Sequence, residues 1–381
     1  MTLNPLNQLA ALGQSIWYDN VQRSLLTNGD IARKIAEDSL TGLTSNPTIF
    51  NKAMAQSADY DEALAGLLSS DPQAEPITLY ETLALADIQA AADLLRPVYE
   101  RTHGADGYAS LEVSPFLAHD TGASIEEGRR LRQALNRPNV LIKIPATPAG
   151  LPAITTLIGE GISVNVTLMF SLQHYDNVAE AYLAGLEKLA AAGGDLSQVI
   201  SVASFFVSRV DTIFDQALAA IGTAEALSLR GKMGVANAKA AYRRFQTVFG
   251  SDRFKTLADR GARVQRPLWA STGVKNPAYR DVFYVEELSG PDTVNTMPPA
   301  TMAAFKAHGR AEARLTQAVD EALEIMARIE ALGIDYNTLT ETLQTEGVTA
   351  FAEAFAALLK TLAAKQQAFL SRQTQPNFLS I

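Results

Sequence analysis

The sequence predicts an α/β fold: a single (β/α)8 TIM barrel with additional C-terminal helices, covering residues 1–381 with a helical tail over about 300–381. Three observations predict it. Eight short apolar runs alternate with longer stretches of helical period. Polar residues recur at the ends of those runs, where barrels of this kind collect their chemistry. The doubly wound alternative usually brings a glycine-rich phosphate loop after an early strand, and the chain has neither GxGxxG nor a Walker A sequence.

In order, Ile16 to Asp19 is the first strand. Asn28-Gly-Asp30 opens a helix, with Asp30 as its cap before Ile31, Ile35 and Ala36. Gly42 to Ser45 is the second strand, ending in Asn46-Pro47. A helical region runs through Tyr60, Leu64 and Leu67 and, past Asp71-Pro72, from Ile77 to Tyr99. Ser110 to Val113 is the third strand, and a helix over 124–135 leads to the fourth, Val140 to Ile144. A short helix spans 151–159, the fifth strand is Ile162 to Leu168, and a helix spans about 171–192. Val199 to Phe206 is the sixth strand, followed by two or three helices over about 210–257. Pro267 to Ser271 is the seventh, Thr293 to Met297 the eighth, with a short helix near 284–288 between them and a helical tail over 300–370. In that tail Phe351, Ala354, Phe355, Leu358, Leu359 and Leu362 form an apolar stripe that reads as intramolecular packing.

The chain is 47% hydrophobic and 19% charged, as a globular protein with a sizeable core requires. Its 32 Lys and Arg against 41 Asp and Glu give a net charge of −9, which argues against nucleic-acid binding through a basic stripe. It has no cysteine, so disulfides, thiolate metal sites and Cys nucleophiles are excluded. The N-terminus lacks a signal-peptide pattern and no apolar run looks long enough for a bilayer, so a cytoplasmic location is expected.

Lys143 lies in the middle of the fourth run, flanked by Ile142 and Ile144. Burial disfavours the ammonium form of a lysine. The neutral amine is a nucleophile that forms Schiff bases with carbonyl compounds. The plainer alternatives are a strand-end lysine snorkelling to water or a structural salt bridge. Schiff-base chemistry needs carboxylates to move protons, and Asp19 and Glu112 fit. It needs neutral groups for substrate hydroxyls and a water; Asn46, Asn165, Thr167 and Ser204 fit. A phosphorylated substrate needs cations and hydroxyls, and Arg209, Ser271 and Lys275 follow the sixth and seventh strands, near where barrels hold phosphate.

Six segments resemble transaldolase, in family order: Thr44-Ser-Asn-Pro-Thr-Ile-Phe50, Leu141-Ile-Lys-Ile-Pro-Ala-Thr147, Asn165-Val-Thr-Leu-Met-Phe-Ser171, Ser204-Phe-Phe-Val-Ser-Arg209, Leu268-Trp-Ala-Ser-Thr-Gly-Val-Lys-Asn-Pro277 and Thr293-Val-Asn-Thr-Met-Pro-Pro299. The helical segment after strand six and the tail resemble the longer bacterial form. The resemblance implies a Schiff-base transferase that moves a dihydroxyacetone unit from sedoheptulose 7-phosphate or fructose 6-phosphate to an aldose phosphate, in the non-oxidative pentose phosphate pathway. By it, Lys143 takes the Schiff base, Asp19 is the base at the C4 hydroxyl, and Glu112 with Thr167 holds the water. Asn46, Asn165 and Ser204 bind the dihydroxyacetone part, and Arg209 and Ser271 the phosphate. Some family members have a second arginine where Gly273 stands here, so Lys275 is the candidate for that charge. Fructose 6-phosphate aldolase relatives, which release free dihydroxyacetone, carry Gln and Tyr where this chain has Glu112 and Phe206, which favours transfer. A silent sugar-phosphate-binding barrel is the remaining alternative.

The resemblance implies no cofactor, sugar phosphates as the partners with neither nucleic acid nor membrane, and a monomer or homodimer. His103, His119, His174 and His308 show no metal spacing and read as surface or loop residues, so no metal is expected. Asn165-Val-Thr167 fits a glycosylation sequon but falls in a buried strand. Trp17 and Trp269 read as barrel wall.

Overall fold

In a computed structural model of the chain, which describes residues 4–373, eight parallel strands close into a barrel in sequence order. They are β1 (Gln14–Tyr18), β2 (Leu40–Thr44), β3 (Tyr108–Glu112), β4 (Val140–Pro145), β5 (Val164–Met169), β6 (Ser201–Phe206), β7 (Arg266–Ala270) and β8 (Thr293–Met297). β8 pairs with β1 from Gln14 opposite Thr293 to Tyr18 opposite Met297, and this closes the ring. The predicted (β/α)8 class is the observed one. β4 and β5 are buried at every residue, as strands covered on both faces must be.

Side chains alternate between the barrel interior and the helix layer. Trp17, Tyr108, Leu141, Val202, Leu268 and Val294 share one buried cluster and fill the interior. Gly42 makes room for Trp17, because a Cβ there would lie 2.4 Å from the indole. Trp269 faces the other way, edge-on to Phe205. Two residues on from Leu141 along β4, on the same face, stands Lys143. The register sets it beside Glu112 of β3 and Asn165 of β5.

Several local expectations are corrected. Asp30 is the first residue of helix Asp30–Glu37, not its cap: Gly29 takes that place at φ 84, and the Asn28 side chain accepts the Asp30 N–H. The stretch over 210–257 holds four helices rather than two or three, because Gly222, Gly231 and Gly250 break it (Ser208–Ile221, Ala224–Ser228, Met233–Phe249, Asp252–Ala258). The tail is helical over Pro299–His308, Val319–Ala331 and Tyr336–Gln373 but irregular from Gly309 to Ala318. A helix at Pro5–Ala11, capped by Asn4, was not expected.

The C-terminal helix, Tyr336–Gln373, crosses the mouth of the barrel. Near its start Tyr336 donates to Asn237 and accepts the Leu172 N–H, and Gln344 donates to the carbonyls of Ala146 and Leu168 after β4 and in β5. Toward its end Lys365 reaches Asp61 and the Met54 carbonyl beyond β2. Phe355 packs edge-on against Tyr80 and Phe116. Contrary to the sequence expectation, this helix is long and apolar enough to cross a membrane by length and composition alone. Its stripe of Phe351, Phe355, Leu358 and Leu362 is instead buried on the barrel, as the spacing predicts.

Candidate active site

A cavity of about 710 Å³ opens among the C-terminal ends of the strands. Asp19, Asn46, Lys143, Thr167, Ser204, Phe206, Arg209, Ser271 and Lys275 line it, as the sequence reading requires. Glu112 and Asn165 do not. Glu112 borders a smaller adjoining cavity walled by Phe50, Tyr80 and Phe355. Asn165 is fully buried one layer deeper, donating to Ser110 Oγ at 3.1 Å and accepting from Ser204 Oγ at 2.7 Å. Asn165 is thereby held against Ser204, which lines the cavity.

Lys143 is 5% exposed, so it does not snorkel to water. Its Nζ lies 3.2 Å from the Ser45 carbonyl, to which it donates, and 3.3 Å from Glu112 Oε2. The Phe351 ring of the C-terminal helix stands with its centroid 5.8 Å from the same nitrogen. Burial raises the pKa of Glu112, and the Lys143 charge pulls it partly back. The carboxyl therefore takes a proton more readily than an ordinary glutamate. Among the described residues, buried Thr167 Oγ1 has no hydrogen-bond partner, and buried Glu112 Oε2 has only its ion pair with Lys143. Unsatisfied buried groups destabilise unless something meets them, so these two oxygens beside an amine mark a place for a water or substrate hydroxyl.

Asp19 follows β1 and accepts from Thr44 Oγ1 at 2.8 Å. Thr44 Oγ1 is in turn 2.6 Å from Thr296 Oγ1. Burial raises the Asp19 pKa, opposed by the Lys143 charge, the Thr44 hydrogen bond and Arg209. Asn46 caps helix Pro47–Phe50, its Oδ1 accepting the Ile49 N–H at 3.0 Å, so its amide group is left to face the cavity.

Across the cavity stand two cations with no ion-pair partner among the described residues. Arg209 is the second residue of helix Ser208–Ile221, and its guanidinium lies 5.4 Å from the Phe206 ring centroid. Burial lowers its pKa, and Glu346 and Asp19 raise it in part. Lys275 is lowered by burial first and by the Arg209 charge second, so the two cations face one space. Ser271, at φ 56, sits beside them with its hydroxyl 2.8 Å from Ser208 Oγ. Left-handed backbone is unfavourable for serine and is typically kept where a site needs it.

Sequence reasoning missed Thr44, Thr296 and Phe351. Thr44 was findable: it lies two residues before Asn46 in the same segment, on the same face. Phe351 was not, because its stripe reads only as packing. The histidine reading fails at His174, which is buried, accepts the Phe170 N–H on Nδ1 and meets Glu341 through Nε2 at 2.8 Å. Among the described residues no three His, Asp or Glu side chains group as a metal site.

Comparison with known proteins places these residues in context. The family model described as Transaldolase/Fructose-6-phosphate aldolase matches residues 16–362. The chain is 49% identical over 362 residues to Transaldolase 1 of Streptomyces coelicolor, covering 94% of each chain. It is 49% identical over 357 residues to a transaldolase of Thiobacillus denitrificans, covering 94% of this chain and 99% of the relative. Over 377 residues it is 45% identical to Transaldolase 2 of Nostoc sp., covering 96% of this chain and 98% of the relative.

Proposed function

The chain belongs to the transaldolase/fructose-6-phosphate aldolase family, and from that premise we propose that it is a transaldolase working through a Schiff base on Lys143. The observation that carries this reading is the buried amine set 3.3 Å from a glutamate whose pKa burial raises, at a cavity whose far side presents two cations with no ion-pair partner among the described residues. Lys143 Nζ adds to the C2 carbonyl of a ketose phosphate. Glu112 gives a proton to the departing hydroxyl, so water leaves and a protonated Schiff base remains. Asp19, fixed by Thr44, takes the proton of the C4 hydroxyl. The C3–C4 bond breaks, its electron pair enters the Schiff base as an enamine, and an aldose phosphate departs. A second aldose phosphate accepts the enamine carbon at its aldehyde, and Asp19 returns the proton to the new hydroxyl. Water held between Glu112 and Thr167 then hydrolyses the Schiff base and frees the new ketose.

Arg209, Ser271 and Lys275, which line the same cavity as Lys143, hold the phosphate. Asn46 and Ser204 contact the three-carbon unit, and Asn165 supports Ser204 from behind. Phe351 favours transfer over release, since its apolar ring near the amine leaves little room for water while the enamine waits, and Phe206 lines the same cavity. A cytoplasmic location and no partner beyond the sugar phosphates complete the reading. Acceptor dependence tests it. Fructose 6-phosphate with erythrose 4-phosphate should yield sedoheptulose 7-phosphate, and fructose 6-phosphate alone should turn over no faster than the trapped intermediate hydrolyses. Rapid release of dihydroxyacetone without an acceptor would make the protein a fructose 6-phosphate aldolase instead.

A further inference from the structure

Helix Ser208–Ile221 carries Arg209 at its start and two buried or nearly buried aspartates, Asp211 and Asp215, one turn apart farther along. Both are used up in holding other segments. Asp211 accepts the Tyr284 hydroxyl at 2.8 Å and the Gly234 N–H. Asp215 accepts the Tyr279 hydroxyl at 2.7 Å and the Gly231 N–H at 2.7 Å. Tyr279 ends the loop that leaves β7 and carries Lys275. At its beginning this loop is pinned by Ser271 to Ser208 and by Thr272 to Asn295 and the Thr296 carbonyl. Between Thr272 and Tyr279 its bonds are local: Asn276 Oδ1 accepts the Ala278 N–H, and the Asn276 carbonyl the Tyr279 N–H. The next anchor is Tyr279. Its ring lies against Gly231, where a Cβ would fall 2.6 Å from it, so the ring's place is fixed as well. Val274 packs partly on the core, and a separate cavity of about 260 Å³ lies behind the loop, bordered by Asp215, Tyr279 and Lys275.

We infer that the Tyr279–Asp215 hydrogen bond is a latch that positions Lys275 for the substrate phosphate, by tying its loop to the helix that presents Arg209. The latch rests on the transaldolase reading and adds a specificity device to it. Both cations are then referenced to one rigid helix, and their spacing is set before a phosphate arrives. Pre-setting two repelling charges is unfavourable without an anion, so the loop needs an anchor to keep Lys275 in place. Tyr279 touches no substrate, and its role is positioning.

The test uses the full-length protein with Tyr279→Phe, which keeps the ring against Gly231 and removes only the hydroxyl. The KM for fructose 6-phosphate should rise about five- to tenfold, the scale of one ordinary hydrogen bond, with kcat within about twofold. kcat/KM for unphosphorylated fructose with the same acceptor should be unchanged, because that donor leaves the phosphate site empty. Lys275→Met should raise the same KM at least as much, and Tyr279→Phe added to it should have no further effect. An unchanged KM in Tyr279→Phe, or an equal loss for both donors, would overturn the latch. Loss of Schiff-base trapping in the unmutated protein would instead remove the reading beneath it.

Discussion

Lys143 has two polar neighbours within 3.3 Å, a carbonyl and a carboxyl, and one aromatic ring over it. The carbonyl fixes where the nitrogen points. The carboxyl, raised by burial, is the local proton store. Replacing the lysine by methionine should therefore abolish turnover and adduct formation without unfolding the barrel. Glu112 would take up a proton rather than stay as a stranded buried anion, so melting by circular dichroism should shift by only a few degrees. A collapse in melting temperature would mean that the pair is structural first. Thr44 holds Asp19 through its 2.8 Å hydrogen bond and is itself 2.6 Å from Thr296 Oγ1. Thr44→Val should lower kcat by about 10- to 100-fold through misplacement of the base, while borohydride still fixes substrate on Lys143. Loss of trapping in Thr44→Val would place the threonine in Schiff-base formation instead.

Two elements carry most of the long-range work, and each was partly hidden from sequence. The C-terminal helix was legible as a packing helix from the period of Phe351, Phe355, Leu358 and Leu362. Its path over the barrel mouth was not, because periodicity says which face is buried and not against what. Gly347 marks the path in retrospect: a Cβ there would lie 2.9 Å from Leu168. Phe351→Ala should open the amine to water, so the ratio of dihydroxyacetone released to product transferred should rise, read by coupled assay with acceptor present. No change in that ratio would mean that the ring only packs. Helix Ser208–Ile221 was visible only as part of the helical stretch over about 210–257, and the burial of its aspartates was not legible there. Burial pushes Asp211 up to about 6, against the hydrogen bonds from Gly234 and Tyr284. The folded chain thus binds that proton more tightly than the unfolded chain. The stabilisation is full below the ordinary aspartate range and is lost as pH rises through about 6. Asp211→Asn should flatten the melting-temperature profile between about pH 4 and pH 7; an unchanged slope would show that other groups set it.

At the scale of the whole molecule, the barrel was readable because each strand is short, apolar and bounded by turn residues, and β8 has the ends the sequence predicts. The site was readable because strands present their polar residues at one end of the barrel, so one-dimensional positions map to one mouth. What was not readable is depth. Asn165 and Ser204 are both strand residues, yet one is sealed beneath the other, since depth depends on the tilt and stagger of neighbouring strands. Activity integrates all of this in its pH profile. Asp19 must be ionised to accept a proton, and burial raises its pKa, so the acid limb of kcat should lie above the ordinary aspartate range. The most direct test of the central claim is borohydride reduction in the presence of fructose 6-phosphate, followed by peptide mass mapping. The account predicts one reduced three-carbon adduct on Lys143. An adduct on another lysine, or inactivation with no adduct, would contradict it.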